Sequence, residues 1–432
     1  MNLTQIIEMT EDYEQEVAEL CSDLVKRKSA HPSGNTDECV AYIKKYFDEN
    51  QIENQVYQNV PSKPNIVGRI KGTGKKKVLW VGHLDVVPEG KPENWEHPPY
   101  SGKITNGIIH GRGSSDMKGA CAAAMVSAKI LNQLEQVPNN VEFWFTSDEE
   151  VGGTHGAKWL AESGYLSGDI CIIGDGNGGG LENPSIDIGC KGSARVKLIA
   201  NGQTAHGSTP FLGDNAINKL IKAIPWVEKI SEYRLELPPE LDEPIKSSIN
   251  YYTKGQELTQ KQVEGFEHLF NYPSVSCNII EGGVKINVVP DYAEAQFDIR
   301  LTPGASVYKV RQRLKELVRE SKITGLEIRP NPRNESNKDQ TAGYFEAMNT
   351  AFANHFSKIV EKVTGKEPMF KILTGGTDGT RISKVTSIPC LGYGTSVTGQ
   401  AHQPNEYITI ENLVLGIKIY TGLTYSYKHT KP

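Results

Sequence analysis

A histidine and a row of carboxylates stand where short apolar runs end. Lys77-Val78-Leu79-Trp80-Val81-Gly82 runs into His83-Leu84-Asp85, and Val141-Glu142-Phe143-Trp144-Phe145-Thr146 leads to Asp148-Glu149-Glu150. Ile170-Cys171-Ile172-Ile173-Gly174 runs into Asp175, and Ile108-Ile109-His110-Gly111-Arg112-Gly113 leads through two serines to Asp116. His402 adds an imidazole in the polar loop Gly399-Gln400-Ala401-His402-Gln403-Pro404-Asn405-Glu406. Imidazole nitrogens and carboxylate oxygens are ligands for zinc and for cobalt or manganese. His83 and Asp85, two apart on an extended chain, share a side, so the aspartate can orient a ligating imidazole. Three adjacent carboxylates at 148–150 repel one another, and a cation relieves that repulsion. Each feature alone has a plain alternative: a helix N-cap for Asp116, a solvated turn for 148–150, a strand end for His83, a surface position for His402. Together, His83, Asp116, Glu150, Asp175 and His402, with Asp85 behind them, make a donor set for two zinc ions sharing a bridging carboxylate.

These residues need a scaffold that gathers strand ends. Short β-rich runs alternating with helical stretches read as the buried strands of an α/β sheet, where ligands bind at the carboxyl ends. At 432 residues the chain is long enough for two domains. Residues 11–28 place Val17, Leu20, Leu24 and Val25 at helical spacing. A turn at His31-Pro32-Ser33-Gly34-Asn35 precedes a helix expected to start with Thr36 as N-cap. Residues 55–70 suggest two short strands. Residues 71–77 lack the phosphate-loop spacing and predict an exposed hairpin turn. Residues 118–134 are alanine-rich and suit close helix packing, and 156–163 suggest a further short helix.

Beyond Cys190 the pattern changes. A strand at 195–200, a helix at 214–230, antiparallel strands at 274–280 and 286–301, a helix at 307–321 and a strand at 326–329 give a β-α-β-β-α-β order. That order is ferredoxin-like. Residues 231–273 interrupt it as a polar insertion with no assigned element. The expected organisation is a catalytic domain in two parts, 1–190 and 335–432, with an inserted domain at 191–334.

Composition excludes several functions. The chain is 38% hydrophobic and 23% charged with net charge −5, which offers no electrostatic footprint for nucleic acid or an anionic membrane. No run approaches the roughly 18 apolar residues of a membrane helix. Residues 1–16 are polar and acidic, unlike a signal peptide. Seven scattered cysteines without a CxxC pair predict reduced thiols and a cytoplasmic protein.

The stretches Val81-Gly82-His83-Leu84-Asp85-Val86-Val87, Gly111-Arg112-Gly113-Ser114-Ser115-Asp116-Met117-Lys118-Gly119 and Ser147-Asp148-Glu149-Glu150-Val151-Gly152-Gly153 carry a resemblance. Gly282-Gly283-Val284-Lys285-Ile286-Asn287-Val288-Val289-Pro290-Asp291, Thr374-Gly375-Gly376-Thr377-Asp378-Gly379 and the His402 loop extend it over almost the whole chain. The sequence resembles the co-catalytic zinc hydrolases that include aminoacylase, carboxypeptidase G, acetylornithine deacetylase and succinyl-diaminopimelate desuccinylase. The resemblance implies a zinc-exopeptidase-like catalytic domain and a ferredoxin-like lid through which two copies dimerise. It implies that Asp116 bridges two zinc ions, that His83 and Asp175 complete one site, and that Glu150 and His402 complete the other. Glu149 would be the general base, taking a proton from the attacking water and handing it to the leaving amine. His206 would stabilise the oxyanion in the partner subunit's site. Asn287, Arg300 and the Gly375-Gly376-Thr377 turn would hold a substrate carboxylate. The resemblance also implies a cis peptide at Asp116-Met117. One departure stands out: deacetylases and desuccinylases usually have glutamate where this chain has Asp175, whereas dipeptidases and aminopeptidases have aspartate. The implied reaction is hydrolysis of an amide in a small N-acyl amino acid, with a dipeptidase or carboxypeptidase as the alternative. A metal-dependent binding protein without catalysis is disfavoured by the intact Glu149.

Overall fold

The strand Lys77–His83 is buried along nearly its whole length, and the larger sheet is built around it. It runs parallel to Asn140–Thr146 on one side and to Ile170–Ile173 on the other, and Cys390–Gly392 continues the parallel set. Asn65–Ile70 and Glu53–Tyr57 add antiparallel strands beyond Asn140–Thr146. Strands buried on both faces read as near-continuous apolar runs, which is why Lys77–His83, Asn140–Thr146 and Ile170–Ile173 were visible in the sequence. The fourth run, Ile108–His110, is not part of this sheet and pairs instead with Lys103–Thr105 and Tyr407–Thr409 in a separate three-stranded sheet. The computed structural model describes residues 2–254, 257–330 and 342–427. The expected boundary at Asn334 lies outside the described residues.

The chain divides into two units: Met1–Gly189 with Glu346–Leu373 and Thr377–Pro432, and Cys190–Phe345 with Thr374–Gly376. In the larger unit the helices Gly119–Gln133 and Ile410–Ser426 pack against each other. Small residues allow the approach: a Cβ on Gly416 would stand 3.2 Å from that of Ala123. Under the strand ends, Trp80 meets Phe145 and Tyr420 at ring-centroid distances of 5.4 and 5.5 Å. Gly174 has no room for a side chain there, because its Cβ would lie 2.2 Å from the Trp80 ring.

The helix Glu14–Lys26 forms as its spacing predicts, burying Val17, Leu20, Leu24 and Val25. Two expectations change. Thr36 precedes the helix Asp37–Glu49 but does not cap it; its hydroxyl donates to Pro64 O, and Asn35 Oδ1 accepts the Asp37 N–H instead. Residues 71–76 are not a hairpin. Asn140–Thr146 lies between the strands they connect, so they cross over its start, with Thr73 and Gly74 N–H donating to Val137 O and Pro138 O. Alternation within single strands does not reveal which strand pairs with which.

The smaller unit has the sheet order Ser274–Gly282, Tyr292–Leu301, Val196–Asn201, Leu326–Pro330, antiparallel throughout. With the helices Ala216–Glu228 and Val307–Glu320, this is the ferredoxin-like arrangement. Its core joins Val196, Leu198, Leu220, Phe297, Ile299 and Leu314. The expected strand at 286–301 is broken by Pro290: Val288–Val289 pairs with Ala205–His206, and the long strand starts at Tyr292. The insertion contains two helices, Asp242–Thr253 and Gln260–Asn271, the second opened by a Thr259/Gln262 capping box.

Candidate metal centre and active site

The parallel strands deliver their carboxyl ends to one edge. His83 is the last residue of its strand and pairs with Thr146, from which the chain turns through Ser147 and Asp148 to Glu149 and Glu150. Asp148 holds this turn with φ 57°, its carboxylate accepting the His155 N–H. Asp116 precedes the helix Gly119–Gln133 and does not cap it. The Asp116-Met117 peptide is cis, as the resemblance implied.

His83 Nε2 stands 3.2 Å from Asp116 Oδ1. His402 Nε2 stands 3.2 Å from both Asp116 Oδ2 and Glu150 Oε1. One ligand atom each from His83, Asp116 and Glu150 lies within 4.8 Å of the others. Asp116 thus faces an imidazole on each side, the position a bridging ligand needs. Its Oδ1 is buried and lacks a well-aligned hydrogen-bond donor, an arrangement that a cation would complete.

Proton affinities follow from this crowding. Burial, with the charge of Asp116 next, pushes Asp175 up to about 8. Glu150 is raised by burial and by Asp116, and Glu149 by burial and by Asp378. Hydrogen bonds to Asp116 and Glu150 raise His402 to about 10. Burial opposes protonation of His83, yet the carboxylates of Asp116, Asp85 and Asp175 raise it well above its usual value. Several carboxylates that share protons with two imidazoles form a site suited to divalent cations.

Asp85 acts differently from the expectation. His83 Nδ1 lies 2.9 Å from the Asp85 backbone oxygen and 3.6 Å from its carboxylate. The carboxylate instead accepts the N–H groups of Glu149 and Glu150 at 3.0 and 3.1 Å. Arg381 fixes the other side of that turn, donating Nε to Gly152 O at 2.6 Å, with Nη1 3.9 Å from the Glu149 carboxylate.

The remaining expected residues divide between the units. Thr377 belongs to the larger one, where its Oγ1 accepts the Gly379 N–H. His206, Asn287, Arg300, Gly375 and Gly376 belong to the smaller. There His206 is exposed, its Nδ1 2.7 Å from Ser208 Oγ, and Asn287 O accepts the Gly207 N–H beside it. Arg300 is already engaged: Nε and Nη2 donate to both oxygens of Asp298.

Glu406 and Arg112 carry a structural role that sequence reasoning did not assign. Glu406 is fully buried, and its Oε1 accepts the N–H groups of Gly113, Ser115 and Asp116 at 2.9–3.0 Å, while Oε2 pairs with Arg112. The loop that presents Asp116 is therefore clamped by a residue four positions beyond His402. Position in the His402 loop was its only sequence signal. Lys118, also buried, donates to Leu24 O and Arg27 O at the end of the helix Glu14–Lys26. Glu406→Ala would leave the Arg112 charge and three buried N–H groups without their acceptor. The expected loss is about 3–5 kcal/mol in denaturant unfolding; a loss below about 1 kcal/mol would contradict the clamp.

The sequence profile of peptidase family M20/M25/M40 matches residues 79–426, and the chain belongs to that family. It is a metal-dependent hydrolase of amide or peptide bonds. It is 29% identical over 434 residues to a probable succinyl-diaminopimelate desuccinylase of Staphylococcus aureus (strain N315), covering 98% of this chain and all of that one. It is 33% identical over 277 residues to the succinyl-diaminopimelate desuccinylase of Blochmanniella floridana, covering 60% of this chain and 70% of that one. Among solved structures, an M20 family metallo-carboxypeptidase from Sulfolobus solfataricus matches with a TM-score of 0.77 at 24% identity, over 95% of this chain and 99% of that one. Human carnosine dipeptidase 1 matches with a TM-score of 0.76 at 18% identity, over 98% of each chain.

Proposed function

We propose that the protein hydrolyses the amide bond of small N-acyl amino acids, deacetylase or desuccinylase in type, with two zinc ions held at the strand ends. The observation that carries this reading is Asp116 standing between His83 and His402, with Glu150 beside His402 and Glu149 next to it in the turn; the charge of Asp116 also raises Asp175. By the family resemblance, His83 and Asp175 would hold one ion, Glu150 and His402 the other, and Asp116 would serve both; cobalt or manganese fits the same donors. When bound, the ions would polarise the scissile carbonyl and make water acidic enough to attack it. Glu149 takes the proton released in that attack and returns it to the leaving amine. Arg381 and the Asp85 contacts keep the Glu149 backbone in place for both transfers. By the family resemblance, Arg300, Asn287, Gly375, Gly376 and Thr377 would hold the substrate carboxylate, and His206 would donate to the oxyanion in the partner subunit's site.

The names of the curated relatives favour the N-succinyl substrate class. A second reading, an unblocked dipeptide, is favoured by Asp175 in place of the glutamate usual in desuccinylases. Amine release from N-acetyl and N-succinyl amino acids should be compared with that from dipeptides. Turnover confined to the acylated compounds supports the first reading, and turnover confined to dipeptides supports the second.

Dimerisation through the smaller unit is part of this proposal. The strand Ser274–Gly282 is an edge strand with Ile279 and Ile280 exposed, and Ile221 is exposed on the neighbouring helix. Open apolar edges are pairing surfaces. Light scattering should give a dimer for the native chain and a monomer for a variant combining I221K and I280K; a native monomer would remove the role of His206. All seven cysteines are free, which supports a cytoplasmic location; no described helix is long and apolar enough to cross a membrane.

A further inference from the structure

His31 is a nearly buried histidine that the proposed reaction does not use. Its segment runs beside the end of the central strand: Ala30 bridges Val86, His31 N–H donates to Val86 O, and Ser29 Oγ donates to Leu84 O. The ring is thereby laid on Asp85, with Nε2 2.8 Å from Oδ2. Its side chain is 10% exposed and that of Asp85 0%. The space is made for this ring. Gly34 sits at φ +52°, and a Cβ there would come within 2.4 Å of His31 Cε1.

The Asp85 carboxylate therefore receives three donors: the Glu149 N–H on Oδ1, and the Glu150 N–H and His31 Nε2 on Oδ2. Rotation of the carboxylate about its own bond would break both backbone contacts. A third donor, fixed on a separate segment, prevents it. We infer that His31 is a positioning residue: through Asp85 it holds the turn that presents Glu149 and Glu150. This inference rests on the metal-centre reading above, and it adds a residue from outside the donor set.

The test uses His31→Leu, which keeps bulk without a donor, and His31→Gln, whose Nε2 reaches the same oxygen. Melting curves establish that both variants fold. Co²⁺ is titrated into the metal-stripped full chain, and kcat and KM are measured after loading. His31→Leu should bind Co²⁺ about 10–100-fold more weakly and lose kcat by a similar factor, with KM within about twofold. His31→Gln should recover most of both. Native affinity and kcat in His31→Leu would overturn the inference. So would a His31→Gln chain as impaired as His31→Leu, since ring packing rather than the donor would then matter. A native chain that takes up no Co²⁺ would overturn the metal centre itself, a result distinct from equal uptake by native and variant chains.

Discussion

Glu149→Gln should reduce kcat by about 10²–10⁴-fold while leaving the metal content of the chain unchanged. The substitution preserves shape and removes the one carboxylate in the Asp148-Glu149-Glu150 turn that is assigned neither to a metal nor to the turn itself. Asp148 accepts the His155 N–H, and Glu150 contacts His402. Glu149 instead lies beside Asp378 and Arg381, and burial raises its proton affinity. A carboxylate with raised proton affinity is suited to keep a proton until the amine leaves. Bound cations would lower that affinity, so both directions of transfer remain accessible. Metal analysis must accompany the kinetics. Loss of turnover together with loss of metal would make Glu149 a ligand, and turnover within tenfold of native would place the base elsewhere.

The second large effect concerns stability without metal. Asp175 is raised to about 8, so the metal-free native state holds a proton there that the unfolded chain, near 4, has released. Stability from that proton is present at low pH and is lost as pH rises through about 8. His402, raised to about 10, acts in the same direction: its contribution is full below about 6.5 and is lost as pH rises through 10. Glu149 and Glu150 are raised too and add to the trend. The metal-free chain should therefore melt higher at pH 6 than at pH 8.5, by on the order of 5 °C. Cations replace the missing protons, so the metal-loaded chain should show little of this slope and a higher melting temperature throughout. Parallel pH profiles for the two forms would contradict the view that these carboxylates share one cation site.

Much of this organisation is legible in the sequence, for physical reasons. Buried parallel strands must be apolar on both faces, so Lys77–His83, Asn140–Thr146 and Ile170–Ile173 announce themselves, and their carboxyl ends locate His83, Glu149, Glu150 and Asp175. The ferredoxin-like unit is legible because its strands and helices alternate in a recognised order. What escaped depends on contacts between segments distant in sequence. Glu406 reaches back about 290 residues to hold the Asp116 loop, and His31 reaches forward 54 residues to Asp85. The helices Asp242–Thr253 and Gln260–Asn271 escaped because few of their residues form an apolar core: the second buries Phe270, and the first Ile245 and Tyr251 beside Pro244 and Ser248. The crossover at 71–76 escaped because pairing order is a tertiary property.

The most direct test is to strip the chain of metal, add zinc back in measured steps, and follow bound ions per chain together with hydrolysis of N-succinyl and N-acetyl amino acids. Two ions per chain, with turnover returning as they bind and no return in Asp116→Ala, is the result predicted here. Turnover undiminished in the stripped chain, or fully restored in Asp116→Ala, would contradict it.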